Sequence, residues 1–258
     1  MLFFDANLNY GTVTNVELKP QAPCTTMDGL ASALRRAGVA GGLVRTDAAD
    51  ESGAVLGNRL LREDIASAAA DGLELYGMYT LLPSYTHEIP APAELPGVMR
   101  EGRFGALRLA PRKHRYLAKP GVLADYFEMA DAAKIPVMFD TSWGITLEEV
   151  YDIMERFPRL TAILSYHNIW PTERYERPFL AQFPNLRLDL SGMIIDQGIE
   201  GLVAEYGSSR LLFGSRFPWM YIGGVMLQLL RADISEEDKA AIAGGNLLGM
   251  IKEIYRTP

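Results

Sequence analysis

The polar residues best suited to chemistry in this sequence lie at or near the ends of short apolar runs. They are Asp5, Asn7 and Asn9 in FFDANLN, Arg45 in GGLVRT, Arg108 in FGALRLAP and Asp140 in PVMFDTS, followed by His167 in TAILSYH, Asp189 in LRLDLSG and Arg216 in LLFGSR. Each type suggests a task. An arginine fork grips a carboxylate in a bidentate manner or polarises a carbonyl. Histidine exchanges protons near neutral pH, and a neighbouring carboxylate such as Asp140 orients it or activates water. Asn7 and Asn9 stand two apart on an extended run and so point the same way, but a neutral amide oxygen binds zinc poorly. Arg216 therefore reads as a fixed positive charge for an anion, with Arg45 and Arg108 adding to it. The competing reading pairs Arg216 with Asp140 or Asp5 as a structural plug.

Other candidates are weaker. Trp143, Trp170 and Trp219 each follow a run closely and suit either a pocket wall or packing under loops. Asp189 is a candidate pocket carboxylate or a partner for Arg216. His87 lies among prolines and reads as a rim group, while His114 belongs to the basic stretch Arg112 to Arg115 and reads as solvated. Cys24 lies far from any run end and has no evident base.

These residues need a scaffold that gathers run ends at one place. Eight β-type runs alternate with segments of helical spacing, starting at Leu2, Gly41, Leu73, Phe104, Pro136, Thr161, Leu186 and Leu211. Eight is the number that closes a parallel (β/α)8 TIM barrel, whose reactive groups project from the carboxyl ends of the strands. Thr26 or Asp28 is expected to cap a helix ending at Gly38. Further helices are expected at Gly121 to Lys134, after Thr146, at Gly223 to Leu230, after Ser235 and at Asn246 to Ile254. Prolines 90, 92 and 96 predict a loop from Tyr85 to Glu101. An open doubly wound sheet shares this alternation, but its glycine-rich phosphate turn has no counterpart after the first run, which reads NLNYG. No linker or repeat interrupts the order, which predicts a single α/β domain over residues 1–258.

Composition narrows the function. The 258 residues are 48% hydrophobic and 22% charged, as in a chain with a large core. A net charge of -7 argues against nucleic acid, whose phosphates need clustered Lys and Arg. The single cysteine excludes an internal disulfide and favours a reducing, cytoplasmic setting. The opening MLFFD lacks the basic start of a secretory signal, and the apolar stretch Phe217 to Leu230 is too short to span a membrane. The apolar content is compatible with a homo-oligomer.

On four motifs the sequence resembles the amidohydrolase-2 family of metal-dependent hydrolases. FDANLN stands where the family has D-x-H-x-H, ILSYHN where it has a sixth-strand histidine, GSRFPW where it has G-S-D-x-P, and GNLL where it has G-N-A-x-x-L. The resemblance places Asn7 and Asn9 at the two first-strand histidines, Asp140 near the fifth-strand ligand, His167 at the sixth-strand histidine and Arg216 at the aspartate that holds metal. It implies a degenerate metal site, since a guanidinium supplies charge and no lone pair. Like unit charges ~4 Å apart repel by roughly 4 kcal/mol even at an effective dielectric of 20, so no transition metal or other cofactor is expected. An alternative retains a divalent metal on Asp5, Asp140 and His167. The family includes lactonases and decarboxylases of small carboxylated rings, some lactonases acting without metal. The resemblance thus implies a hydrolase, lactonase-like and metal-independent, with His167, Asp140 and Arg216 catalytic. Asn7, Asn9, Arg45, Arg108, Asp189 and Trp143 would bind its small carboxylate substrate. The alternative is a catalytically inactive barrel that binds a small ligand or partner.

Overall fold

The computed structural model describes residues 1–11, 26–69, 72–165 and 172–256. Its eight strands are β1 (Phe3–Tyr10), β2 (Val39–Thr46), β3 (Glu74–Thr80), β4 (Phe104–Arg108), β5 (Val137–Asp140), β6 (Ala162–Ser165), β7 (Leu186–Asp189) and β8 (Leu211–Leu212). Each pairs in parallel with the next, in chain order. After β8 the chain returns against β1, where the N–H of Ala6 donates to the Phe213 carbonyl at 2.8 Å and that of Asn9 to the Phe217 carbonyl at 2.9 Å. The ring is thereby nearly closed, with helices between the strands, and the chain forms one TIM-barrel domain.

Strand alternation sorts the core into two groups. Phe4, Ala6, Leu43, Met78, Ala106, Met138, Ile163 and Leu212 make one apolar cluster, which Leu247 and Ile251 of the C-terminal helix Asn246–Arg256 join. The alternate residues, among them Leu8, Val44, Leu107, Val137, Phe139, Leu164 and Leu188, pack in a larger cluster with helix residues such as Leu30, Ile65, Phe127, Ile153 and Leu202. β1 is buried along its whole length.

Local signals set most helix ends. Thr26 accepts from the N–H of Gly29 at 3.2 Å to start Met27–Ala37, and Gly38 ends that helix at φ 73°, a left-handed geometry that glycine adopts without penalty. Thr146 and Glu149 form a reciprocal capping box ahead of Leu147–Arg156, and Ser235 caps Glu236–Ala240. The helices expected near residues 121 and 223 are Ala124–Ala133 and Ile222–Arg231.

Two expectations need correction. Residues 85–101 are not all loop, because Leu95–Glu101 is a helix with Pro96 in its first turn, where the missing N–H has no intrahelical partner to lose. The strands β5 and β7 also stop at Asp140 and Asp189 rather than running on. Each aspartate accepts from the N–H two residues later and bends the chain into a 3-10 turn, Thr141–Trp143 and Leu190–Gly192. Among the described residues no helix is long and apolar enough to cross a membrane.

Candidate active site at the mouth of the barrel

The carboxyl ends of the strands carry two buried polar groups. The first joins β1, β5, β6, β7 and the turn after β8. Asn7, only 2% exposed, donates from Nδ2 to Ser165 Oγ at 2.7 Å and makes longer contacts of 3.4 Å with Asp140 Oδ2 and Asp189 Oδ2. Ser165 Oγ donates in turn to Asp189 Oδ2. A hydroxyl has one proton, so Ser165 must accept from Asn7, which fixes the amide with its N–H groups toward the acids. Asp140 Oδ1 accepts from the N–H of Ser142 at 2.8 Å and from its hydroxyl. Asp189 Oδ1 treats Ser191 in the same way, with the N–H at 2.9 Å. Gly214 lets the chain after β8 approach, since a Cβ there would lie 2.9 Å from Asp189 Cγ.

Asp5 lies in the same end of the barrel. Its Oδ1 accepts the N–H of Asn7 and of Ser215, both at 2.9 Å, whereas Oδ2 has no hydrogen-bond partner among the described residues. Burial pushes the Asp5 carboxyl up to about 7, opposed by hydrogen bonds from Ser215 and the Asn7 backbone and reinforced by the charge of Asp189. Burial also raises Asp140, opposed by Arg216 and Ser142 and aided by Asp189. Arg216 is half-buried and left-handed at φ 55°, and its carbonyl accepts the N–H of Trp219 at 3.0 Å. It stands close enough to Asp140 to favour that group's ionised form.

The second group sits over β2 and β4. Arg45 Nη1 donates to Asp47 Oδ1 at 3.0 Å and to Asp50 Oδ2 at 3.2 Å, and Arg108 Nη2 donates to Asp50 Oδ1 at 2.5 Å. Arg108 is fully buried and lies 4.3 Å from the centre of the Trp143 ring, with Arg45 at 5.2 Å. Burial alone would raise Asp50, but the Arg108 and Arg45 guanidiniums bring it below the usual carboxylate range. Asn9 donates to Asp47 Oδ1 at 3.0 Å and so belongs here, while Asn7 belongs to the first group. The register of β1 against β2 shifts between Asp5 and Leu8.

The structure thus brings Asn7, Asp140, Asp189 and Arg216 together, and gathers Asn9, Arg45, Arg108 and Trp143 separately. His167, Trp170 and Cys24 lie outside the described residues. His114 corrects its solvated reading. Its side chain is 8% exposed, with Nε2 3.9 Å from Asp50 Oδ1, because the one-turn helix Pro111–His114 folds it back over β2 and β4. His87 is exposed in the loop after β3. Asp50, Asp47, Ser165 and Ser215 were missed. Ser165 and Ser215 sit at run ends and were open to inspection, whereas Asp50 lies on the one-turn helix Ala48–Glu51, too short to show a period. Among the described residues no three His, Cys, Asp or Glu side chains are grouped to hold a metal.

The amidohydrolase family model matches residues 12–246. No curated protein matches the sequence. An uncharacterised TIM-barrel protein from Bordetella bronchiseptica superposes with a TM-score of 0.73 at 17% identity, covering 99% of this chain and 100% of that one. A 2,6-dihydroxybenzoate decarboxylase from Rhizobium gives 0.69 at 14% identity, covering 98% and 99%. A dihydroxybenzoic acid decarboxylase from Polaromonas, solved with manganese and the inhibitor 2-nitroresorcinol, gives 0.68 at 16%, covering 97% of each. At these identities the structural likeness establishes a common barrel, and the family match carries the assignment. The chain belongs to the amidohydrolase-2 family.

Proposed function

We propose that this barrel is a hydrolase, lactonase-like in its chemistry, that acts on a small carboxylated molecule at the mouth without a transition metal. One observation carries the reading. Asn7 turns amide N–H groups toward Asp140 and Asp189, and the Arg216 charge bears on Asp140, so donors and a fixed cation already engage the acids that a metal would need. The described residues do not fit a manganese or zinc ion. The Asn7 amide presents N–H where a ligand must present a lone pair, and a guanidinium repels a dication. No step is therefore routed through metal.

In this mechanism Arg216 holds or polarises the substrate carbonyl, with its charge already in place before bond changes begin. His167, assigned on the resemblance of ILSYHN to the family's sixth-strand motif, takes the proton of the attacking water. Asp140 orients that histidine or the water, and its raised affinity for a proton lets it return one to the leaving alkoxide. Asn7 and Ser142 hold Asp140 in place, and Arg45, Arg108, Asn9 and Trp143, gathered in the second group, are assigned to binding the substrate. The neighbours that act on dihydroxybenzoates support a small carboxylate as substrate class.

The test is turnover of a panel of lactones and aromatic carboxylates by the wild type, Arg216→Ala and His167→Ala, with metal content counted in the same preparations. The expected result is turnover by the wild type, a fall of about 100-fold or more in either variant, and metal far below one ion per chain. Stoichiometric zinc or manganese would sink the metal-free reading. A second reading, an inactive barrel that only binds, draws on the mutual satisfaction of Asn7, Asp140, Ser165 and Asp189, all at most 2% exposed. Absence of turnover across the panel together with saturable ligand binding would favour it.

A further inference from the structure

The two polar groups differ in what they leave unsatisfied. Around Asp140 and Asp189 hydroxyls and amides meet acceptors, but around Arg108 several buried donors meet none among the described residues. Among the described residues Arg108 Nε and Nη1 have no hydrogen-bond partner, and neither does His114 Nε2, which lies 3.9 Å from Asp50 Oδ1. The Tyr116 hydroxyl oxygen lies by the backbone N–H of Ala110, and its own proton meets no acceptor among the described residues. Arg108, His114 and Tyr116 all bear electrostatically on Asp50 and lie within a nine-residue span of chain. A buried donor without an acceptor costs about 1–3 kcal/mol, and more when charged. The three donors Arg108 Nε, Arg108 Nη1 and the Tyr116 hydroxyl, joined by His114 in its Nε2–H tautomer, point to an acceptor from outside the chain.

The charges select its kind. Arg45 and Arg108 are offset by Asp47 and Asp50, so the group is neutral overall, with His114 held in its neutral form by burial despite the pull of Asp50. A monoanion suits such a neutral group of donors, whereas a phosphate dianion would bring twice the charge close to Asp47 and Asp50. We infer that the Arg108, His114 and Tyr116 donors form a second subsite that takes a carboxylate, separate from the Arg216 side of the mouth. This rests on the reading of the barrel as acting on small carboxylates, and it assigns the end of the molecule that does not react. Trp143 covers the face of the Arg108 guanidinium, so the carboxylate must meet its edge. Arg108 is closed off from solvent. Entry therefore requires the residues that cover Arg108 to shift, and the Trp143 ring should sense the arrival.

The test titrates the full chain with benzoate, and separately with inorganic phosphate at matched ionic strength, by calorimetry. A Trp170→Phe/Trp219→Phe form, which leaves Trp143 as the remaining tryptophan, is followed by fluorescence. The expected result is saturable benzoate binding with a change in Trp143 emission. Arg108→Lys should weaken it about tenfold or more, and Tyr116→Phe a few-fold with an unchanged melting temperature. Benzoate binding that is unaltered in Tyr116→Phe and Arg108→Lys but lost in Arg216→Ala would overturn the subsite and leave the proposed function standing. Phosphate binding as tight as benzoate, and equally sensitive to Arg108→Lys, would overturn the carboxylate assignment. No benzoate binding by the wild type, in a protein that still turns over another carboxylate, would also remove the subsite alone. Should Arg108→Lys fail to fold, Tyr116→Phe decides.

Discussion

The Asn7 group and the Asp50 group share one barrel mouth yet are held by different physics. In the first, a neutral amide and serine hydroxyls restrain the acids, and Arg216 is the nearby cation. In the second, one carboxylate, Asp50, holds two guanidiniums, one of them fully buried. Hydrogen bonds among neutral donors tolerate the loss of a member better than a buried ion pair does, since a stranded charge has no water to return to. The difference also reverses the response to pH. Asp5 and Asp140 bind protons more tightly than exposed carboxyls, while Asp50 and His114 bind them less tightly than usual.

Three measurements can break or sharpen that contrast. The largest expected effect is that of Asp50→Ala, which strands Arg108 and should cost about 3–5 kcal/mol in urea unfolding. A cost below ~1 kcal/mol would mean that the pair contributes little and the contrast is false. Next comes Asn7→Ala, which removes the amide shared by Ser165, Asp140 and Asp189 and should cost about 1–3 kcal/mol. An equal or larger cost than that of Asp50→Ala would invert the order.

The smallest effect concerns pH. Asp5 has a folded value of about 7 against an ordinary 3.8, so between these values the folded chain holds a proton that the unfolded chain lacks. Stability from this group must therefore fall as pH rises through that window. Asp50 and His114 act with the opposite sign. Asp50 contributes stability that is lost as pH falls through and below the usual carboxylate range, and His114, kept neutral, contributes stability lost as pH falls below 6.5. Urea midpoints at about pH 5.5 and 6.5 should show Asp5→Asn more stable relative to wild type at the higher pH by roughly 1 kcal/mol. An unchanged difference would show that Asp5 does not hold the proton.

Much of the barrel was legible because its signals are local. Alternating runs mark strands, and Thr26, Gly38, Thr146 and Ser235 mark helix ends whatever the rest of the chain does. The polar mouth was legible in part, since strand ends must converge in a barrel. What the sequence could not show is partnership. Asn7 and Asn9 share a spacing but join different groups, and His114 sits in a basic stretch yet is buried against an acid. Those outcomes depend on which loops meet over the mouth, and no periodicity encodes that.

The paired turns after β5 and β7 have one further consequence. By giving Oδ1 to the serine two residues on, Asp140 and Asp189 each keep a single oxygen for the interior. Whatever enters meets two oxygens already in contact with Asn7, one of them also with Ser165, whose directions are fixed by the backbone turns, so the spacing of atoms in the visitor matters as well as its charge.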